Sequence, residues 1–304
     1  MKILVTGGAG FVGSHLVSKL SLNHNVTILD NSNKNFISHL KNITIHKNNI
    51  LNITRGVDKY DIVFHLAAKP FSKSKKDWFT ESSSIFQTNV IGTHNILHLT
   101  KPNCHFIFTS SASVYGEGRG LTEENPYNPL SAYGYSKALA EQVITNSNRH
   151  YTILRPATII GPHGQCFPNR VMWSIINNQP CTFFKSGHVY RDIIDVRDVV
   201  EALIQIMNTK TYGIYNLGTN KEIKGFFLSK HAERIAKRME MNFTLLFTPF
   251  APKDFVINST LNSNKLFSTL HWAPVYTLPE SLKTIFNYYY HNPQSKEPPD
   301  WDAL

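Results

Sequence analysis

Two side chains four residues apart carry the first chemistry in this 304-residue sequence, Tyr133 and Lys137. They sit in Ser131-Ala132-Tyr133-Gly134-Tyr135-Ser136-Lys137, which opens a predicted helix over 131–147. One turn apart on a helix, they share a face. An ammonium beside a phenol favours the phenolate and is expected to lower a pKa that is ordinarily about 10. Tyr133 then becomes a candidate general acid/base near neutral pH. Tyr135 is too close to Lys137 in sequence to lie on its face. A solvated helix face with one buried tyrosine would give the same spacing. A second cluster, Ser110-Ser111-Ala112-Ser113, follows the apolar run Phe106-Ile107-Phe108. Serines at the end of a central strand point into a ligand crevice. One of them could donate to a substrate oxygen, and equally they could cap the next segment.

The third constellation is a turn. Ile3-Leu4-Val5 runs into Thr6-Gly7-Gly8-Ala9-Gly10-Phe11-Val12-Gly13, and an amphipathic stretch over 14–22 follows at once. Strand, glycine turn and helix N-terminus form the context that holds a diphosphate, because glycine lets the backbone approach and free N–H groups meet the anion at the positive end of the helix. Asp30 closes the next apolar run, Val26 to Leu29, roughly twenty residues past the turn, where a dinucleotide fold places the acid that binds the adenosine ribose hydroxyls. A carboxylate there repels a 2′-phosphate and no arginine follows it, so NAD is expected over NADP.

Positioning these groups requires alternating strands and helices. Strands are predicted at 3–5, 26–30, 43–46, 62–66, 106–108 and 151–154, with helices over 14–22, 82–99 and 131–147. That order gives an α/β, doubly wound parallel sheet with helices on both faces. The alternation loosens after Arg155-Pro156. Short strands at 182–184 and 214–216 and helices over 169–177, 196–207, 226–238 and 279–290 suggest a smaller lobe over the C-terminal edge of the sheet. The expected division is 1–155 for the dinucleotide domain and 156–292 mainly for a substrate lobe, some of whose segments could return to the sheet. The proline- and acid-containing stretch 293–304 is expected to be a loose tail.

Bulk composition narrows the class. Hydrophobic content of 41% and charged content of 17% describe a soluble globular chain with ample core material. No apolar run approaches the roughly 18–20 residues of a membrane span. The chain opens on a strand, so no signal peptide is expected. Three scattered cysteines, Cys104, Cys166 and Cys181, suit neither a disulfide framework nor a zinc site, and a cytoplasmic setting follows. The formal net charge of +10 points to a small anionic ligand. The lysines are dispersed apart from the run 69–76, so nucleic acid and membrane are not expected as partners, and no metal is.

Taken in order, these motifs resemble the extended short-chain dehydrogenase/reductases, the nucleotide-sugar epimerase/dehydratase group, with a Rossmann-type sheet and a smaller C-terminal substrate lobe. The resemblance covers nearly the whole chain. It rests on the TGxxGxxG turn at Thr6–Gly13, Leu29-Asp30-Asn31, His65-Leu66-Ala67-Ala68, Asn89-Val90-Ile91-Gly92-Thr93, Ser110–Gly116, the YxxxK pair Tyr133 and Lys137, Leu154–Thr158 with Gly161-Pro162, Tyr190–Val196 and Tyr215–Gly218. It implies that Tyr133 exchanges a proton with a sugar hydroxyl. Lys137 would lower its pKa and bind the nicotinamide ribose, and Ser111 would bond the same sugar oxygen while hydride passes between the sugar C4 and the nicotinamide. It further implies cofactor contacts from Gly7, Gly10, Phe11, Val12, Gly13, Asp30, Asn31, Asn49, Ile50, Leu66, Ala67, Ala68, Lys69, Asn89, Ser110 and Pro156. Arg191 would grip the substrate diphosphate, Phe184 would stack on its base, and Ser113 and Thr158 would line the sugar pocket. By the same analogy the protein is a homodimer.

The chain also departs from the family pattern. Asn49 stands where an acid commonly meets the adenine, Thr158 where a substrate asparagine is usual, and Ala251 where many members carry a second phosphate-binding arginine, with Lys253 nearby as a substitute. Dehydratases of the group carry an Asp-Glu pair after the catalytic Ser/Thr, and decarboxylases keep a glutamate where Ser113 stands. This chain has Ala112 and Ser113. The expected activity is therefore that of an NAD-dependent nucleotide-sugar 4-epimerase resembling the UDP-galactose type. A C4 dehydrogenase or 4-keto-sugar reductase is the alternative, and a dinucleotide-binding protein without chemistry a further one.

Overall fold

The computed structural model describes residues 1–32, 36–70, 78–251 and 256–292, with backbone alone at 78–80. The 293–304 tail, Lys253 and most of the 69–76 lysine run lie outside the described residues. The first half of the chain runs β1 (Ile3–Thr6), α1 (Phe11–Leu20), β2 (Val26–Asp30), β3 (Ile43–Lys47), β4 (Ile62–His65), α2 (Trp78–Phe86), α3 (Gly92–His98), β5 (His105–Thr109), β6 (Gly118–Leu121), α4 (Ala132–Thr145) and β7 (His150–Pro156). It continues through β8 (Thr158–Ile160), α5 (Phe167–Ile176), β9 (Cys181–Phe183), β10 (Tyr190–Arg191), β11 (Ile193–Asp195), α6 (Val196–Thr209), β12 (Gly213–Leu217), β13 (Ile223–Lys224) and α7 (Gly225–Arg238). The last elements are β14 (Leu245–Phe247), β15 (Asn258–Leu261), α8 (Asn264–Leu270) and α9 (Leu278–His291). A π-turn, Gln87–Ile91, joins α2 to α3.

Seven strands form one parallel sheet in the order β12-β7-β5-β4-β1-β2-β3. The short apolar runs of the inner strands β1, β4 and β5 are buried on both faces, which is why they read as continuous rather than alternating, while the edge strand β3 is largely exposed. On one face Val5, Ile28, Phe64 and Ile107 pack with Leu16 and Val17 of α1 and Leu203 and Ile206 of α6. On the other, Leu4, Val63, Phe106 and Ile153 pack with Ile96 of α3 and Ala140 and Ile144 of α4. The strand order reverses between β1 and β4, and the crevice beyond the carboxyl ends of such a pair is where open α/β sheets bind ligands.

The second lobe has its own core, in which Val171, Met172 and Ile175 of α5, Leu228 and Ala232 of α7, and Leu282, Ile285 and Phe286 of α9 meet. A four-stranded sheet, β13-β10-β15-β6, links it to the crevice. The chain returns to the large sheet through α6, α8 and the edge strand β12, which pairs with β7 from Gly213↔Thr152 to Leu217↔Pro156. The first helix starts at Phe11, earlier than Ser14, because Gly10 already serves as its N-cap. The predicted strand at 182–184 runs 181–183, and Phe184 opens a 3-10 turn instead.

Candidate active site

The glycine turn is fixed by close approach. Gly7 has φ +71°, and a Cβ there would lie 2.6 Å from the Ala67 nitrogen of the neighbouring strand end. A Cβ on Gly13 would collide with the Gly7 carbonyl oxygen. The Gly10 N–H donates to Gly7 at 3.0 Å, and the helix bond series starts with Ser14 N–H to Gly10 at 2.9 Å. The first-turn N–H groups of Phe11, Val12 and Gly13 therefore point out of the helix end, into a cleft their residues line. Beside the turn, a cavity of about 120 Å³ is lined by Asp30, Asn31, Asn48, Asn49, Ile50, Leu66, Ala67, Ala68 and Thr88. Asp30 Oδ2 accepts from Ala9 N–H and Oδ1 from Ser32 N–H, both at 2.8 Å, so the carboxylate is held in place with lone pairs to spare. Asn49 Oδ1 accepts from Leu51 N–H at 3.0 Å. This cradle fits the dinucleotide the sequence predicts, adenosine end at Asp30 and diphosphate at the helix.

The main cleft, about 400 Å³, continues from the turn towards the second lobe. Gly7, Phe11, Val12, Gly13, Leu66, Ala68, Ser110, Ser111, Ser113, Tyr133, Lys137, Pro156, Thr158 and Arg191 all line it. The Ser131 hydroxyl accepts from Gly134 N–H at 3.1 Å and starts α4, which places Tyr133 in the first turn at the mouth of the sheet. Ser111 faces its phenol and favours the phenolate through a hydrogen bond. The expected lowering of the Tyr133 pKa is not found. Burial pushes it up to about 12. The Lys137 ammonium lies 5.8 Å from the Tyr133 ring centroid and donates instead to the Thr109 carbonyl at 2.8 Å. Burial also brings Lys137 down to about 7. The two groups share a face as predicted, yet in this geometry the lysine charge is spent on the end of β5.

At the far end of the cleft Arg191 enters from β10, its guanidinium donating to the Tyr190 and Ile257 carbonyls at 3.0 and 2.9 Å and to that of Val256. Burial lowers its pKa to about 10, so it stays cationic at neutral pH. The buried hydroxyls of Thr109 and Ser113 have no hydrogen-bond partner among the described residues, and both residues line the cleft. Each can donate to or accept from a polar ligand there. Phe184 does not line the cleft, because the turn it opens carries it towards α7. Ala251 does not line it either.

Asn89 and Lys69 also stand outside both cavities. The Asn89 amide is consumed by the protein. It accepts from Lys69 N–H at 2.7 Å and donates to the Lys69 carbonyl at 3.0 Å and the Ser136 hydroxyl at 2.9 Å. It thus ties the crevice edge to α4 from behind, out of the π-turn. Residues that sequence reasoning passed over also line the cleft, among them Thr109, Leu130, Gln165, Cys166, Val256 and Ser259. Thr109, one residue before the serine cluster, carried a readable signal. Leu130, Gln165, Cys166 and Val256 come from irregular segments and Ser259 from the short strand β15, none with a periodicity to read. Among the described residues, no group of three or more His, Cys, Asp or Glu side chains could hold a metal ion, and no helix is long and apolar enough to cross a membrane.

Known proteins agree with this arrangement. The NAD dependent epimerase/dehydratase family matches residues 3–218. A putative UDP-glucose 4-epimerase of Methanocaldococcus jannaschii is 33% identical, over 95% of this chain and 99% of that protein. The human dTDP-D-glucose 4,6-dehydratase is 28% identical, over 96% and 90%. Among solved structures, the UDP-glucose 4-epimerase of Thermotoga maritima with UDP-glucose superposes with a TM-score of 0.81 at 27% identity, covering 96% of this chain and 99% of that one. The UDP-glucuronic acid 4-epimerase of Bacillus cereus, in complex with UDP-glucuronic acid and NAD, gives 0.84 at 25% identity with the same coverage. With the glycine turn, the Ser-Tyr-Lys cleft and this match in hand, the chain belongs to the NAD-dependent epimerase/dehydratase family and is an enzyme.

Proposed function

We propose that the protein is an NAD-dependent nucleotide-sugar 4-epimerase. The observation that carries this reading is the composition of the cleft. Ser111, Tyr133 and Lys137 converge in it, while no Asp or Glu is among its described lining residues. Elimination across the sugar C5–C6 bond needs a further acid/base pair, and Ala112 and Ser113 occupy the stretch after Ser111 where dehydratases carry one. Oxidation and reduction at one carbinol carbon need no such pair.

In this reading Tyr133 takes the proton of the C4 hydroxyl and later returns it to the same oxygen, while the epimer arises because hydride comes back to C4 on the opposite face of the turned 4-keto sugar. Ser111 holds the same oxygen. The bound nicotinamide supplies the hydride acceptor and donor. Lys137 orients the ribose and, as an ammonium, favours the phenolate whose pKa burial has raised. Arg191 meets the diphosphate, and the free hydroxyls of Thr109 and Ser113 meet ribose and sugar oxygens. The exposed apolar residues Ile91, Tyr135 and Leu139, on helices packed side by side, support pairing with a second copy of the chain.

Proton NMR of UDP-glucose and dTDP-glucose incubated with protein and NAD tests the reaction. The expected product is the C4 epimer with no net change in NAD. A 4-keto-6-deoxy product, or stoichiometric NADH, would overturn it.

A further inference from the structure

Behind the catalytic wall lies a buried charge pair to which the reaction as derived gives no part. Glu141 follows Lys137 by one turn of α4, and the two residues are 0% and 2% exposed. Arg155, from the end of β7, grips the Glu141 carboxylate through Nε at 3.0 and 3.1 Å and Nη2 at 2.6 Å. The Ser110 hydroxyl donates to Oε1 at 2.5 Å and the Tyr127 hydroxyl to Oε2 at 2.9 Å. Arg155 Nη1 donates to the Tyr115 hydroxyl at 2.7 Å, which donates in turn to Asn216 Oδ1 at 2.7 Å. One carboxylate thus joins the ends of β5, β7 and β12 to the catalytic helix, and it touches the serine next to Ser111.

We infer that Glu141, clamped by Arg155, is a positioning residue that sets its carboxylate one helical turn behind Lys137 and fixes Ser110 and Ser111 against Tyr133. This rests on the role given to Lys137 under the proposed function. A simple strut is the weaker account, because a buried ion pair is a poor source of stability compared with apolar packing of the same volume. The groups facing Lys137 are few. His65 of β4, pushed down to about 3 by burial between Thr6 and Thr93, is neutral. From β5 come the Phe108 ring at 4.6 Å and the Thr109 carbonyl, both uncharged. Tyr133 is a neutral phenol at physiological pH, and α2 contributes the buried Glu81. Of the acids on these elements only Glu141 raises the Lys137 pKa against the effect of burial. Arg155 lies beyond it and binds its carboxylate through Nε and Nη2.

The test compares wild type, Glu141→Asp, Glu141→Gln and Glu141→Gln/Arg155→Gln, the last leaving neither charge unpaired. Two readouts are followed from pH 5.5 to 9.5. One is turnover of UDP-glucose. The other is NAD affinity, measured by quenching of tryptophan fluorescence, which needs no sugar and so separates failure of this inference from failure of the epimerase reading. Removing the negative charge lowers the Lys137 pKa, so the alkaline limb of both profiles is expected to move at least half a pH unit lower in Glu141→Gln, and in the same direction by less in the double variant, which also removes the Arg155 cation. At pH 8 that means at least a threefold loss in Glu141→Gln, recovered largely at pH 6, with Glu141→Asp close to wild type. A uniform loss at every pH, with the limb unmoved, would show a strut and overturn the inference. Failure of both Gln variants to fold would do the same, since the pair would then be a support of the fold.

Discussion

At the scale of the residue, Lys137 sets the terms of the site. Its ammonium is almost fully buried, and burial brings its pKa from 10.5 to about 7. Below pH 7 both folded and unfolded chains carry the proton, and the folded chain bears the full desolvation cost. Between about 7 and 10.5 the unfolded chain still binds the proton that the folded chain has released, so stability rises with pH across that window. Lys137→Met removes the buried charge at little change in volume. At pH 6.5 it is expected to stabilise the fold by about 1–3 kcal/mol while abolishing turnover, and the gain should vanish near pH 10. Thermal unfolding of both proteins at the two pH values measures this. A destabilised variant at pH 6.5, or a difference that ignores pH, would refute the account. Tyr133 shows the complementary effect. Burial raises its pKa, and the hydrogen bond from Ser111 works against that rise.

At the scale of the element, the parts with strong local rules were legible in the sequence. Gly7 to Gly13 followed by Asp30 announces a strand-turn-helix because each glycine answers a contact: Gly7 against Ala67, Gly13 against Gly7. The α4 face was legible because a four-residue spacing fixes which side chains adjoin, and the same rule places Glu141 below Lys137. Other features depend on non-local packing and could not be read. No local pattern announces that the Asn89 amide bonds Lys69 and, forty-seven residues away, Ser136. Nor does any announce the two consecutive left-handed residues, Lys185 and Ser186, that turn the chain after Phe184. The short strands β8, β10 and β15 hold no periodicity of their own and exist only through their partners. The glycine argument yields a test on the turn itself. Gly13→Ala must move the turn or the helix, and is expected to cost about 1–3 kcal/mol and to weaken NAD binding at least tenfold. Calorimetric titration with NAD and a melting curve would measure both. Unchanged affinity would mean that the helix end does not hold the diphosphate.

At the scale of the whole molecule, α4 has two working faces. Its inner face carries Lys137, Ala140, Glu141 and Ile144 into the sheet and the charge network. Its outer face presents Tyr135 and Leu139, 53% and 41% exposed, beside Ile91 at 52% on the π-turn. Tyr135 and Leu139 are one turn apart, and the π-turn packs directly on α4, so the three form a patch that water disfavours. On the pairing proposed above, a second copy of the same surface, related by a two-fold axis, would bury it on both sides. The catalytic helix would then be clamped between its own sheet and a partner, which restrains Tyr133 without touching the cleft. Sedimentation equilibrium is expected to give the mass of two chains at micromolar concentration. Leu139→Glu places a like charge opposite itself across the axis and should yield monomers with Asp30 and the glycine turn intact, hence with NAD affinity within about twofold of wild type. A wild-type monomer under those conditions, or a Leu139→Glu dimer, would show that this face has some other occupant.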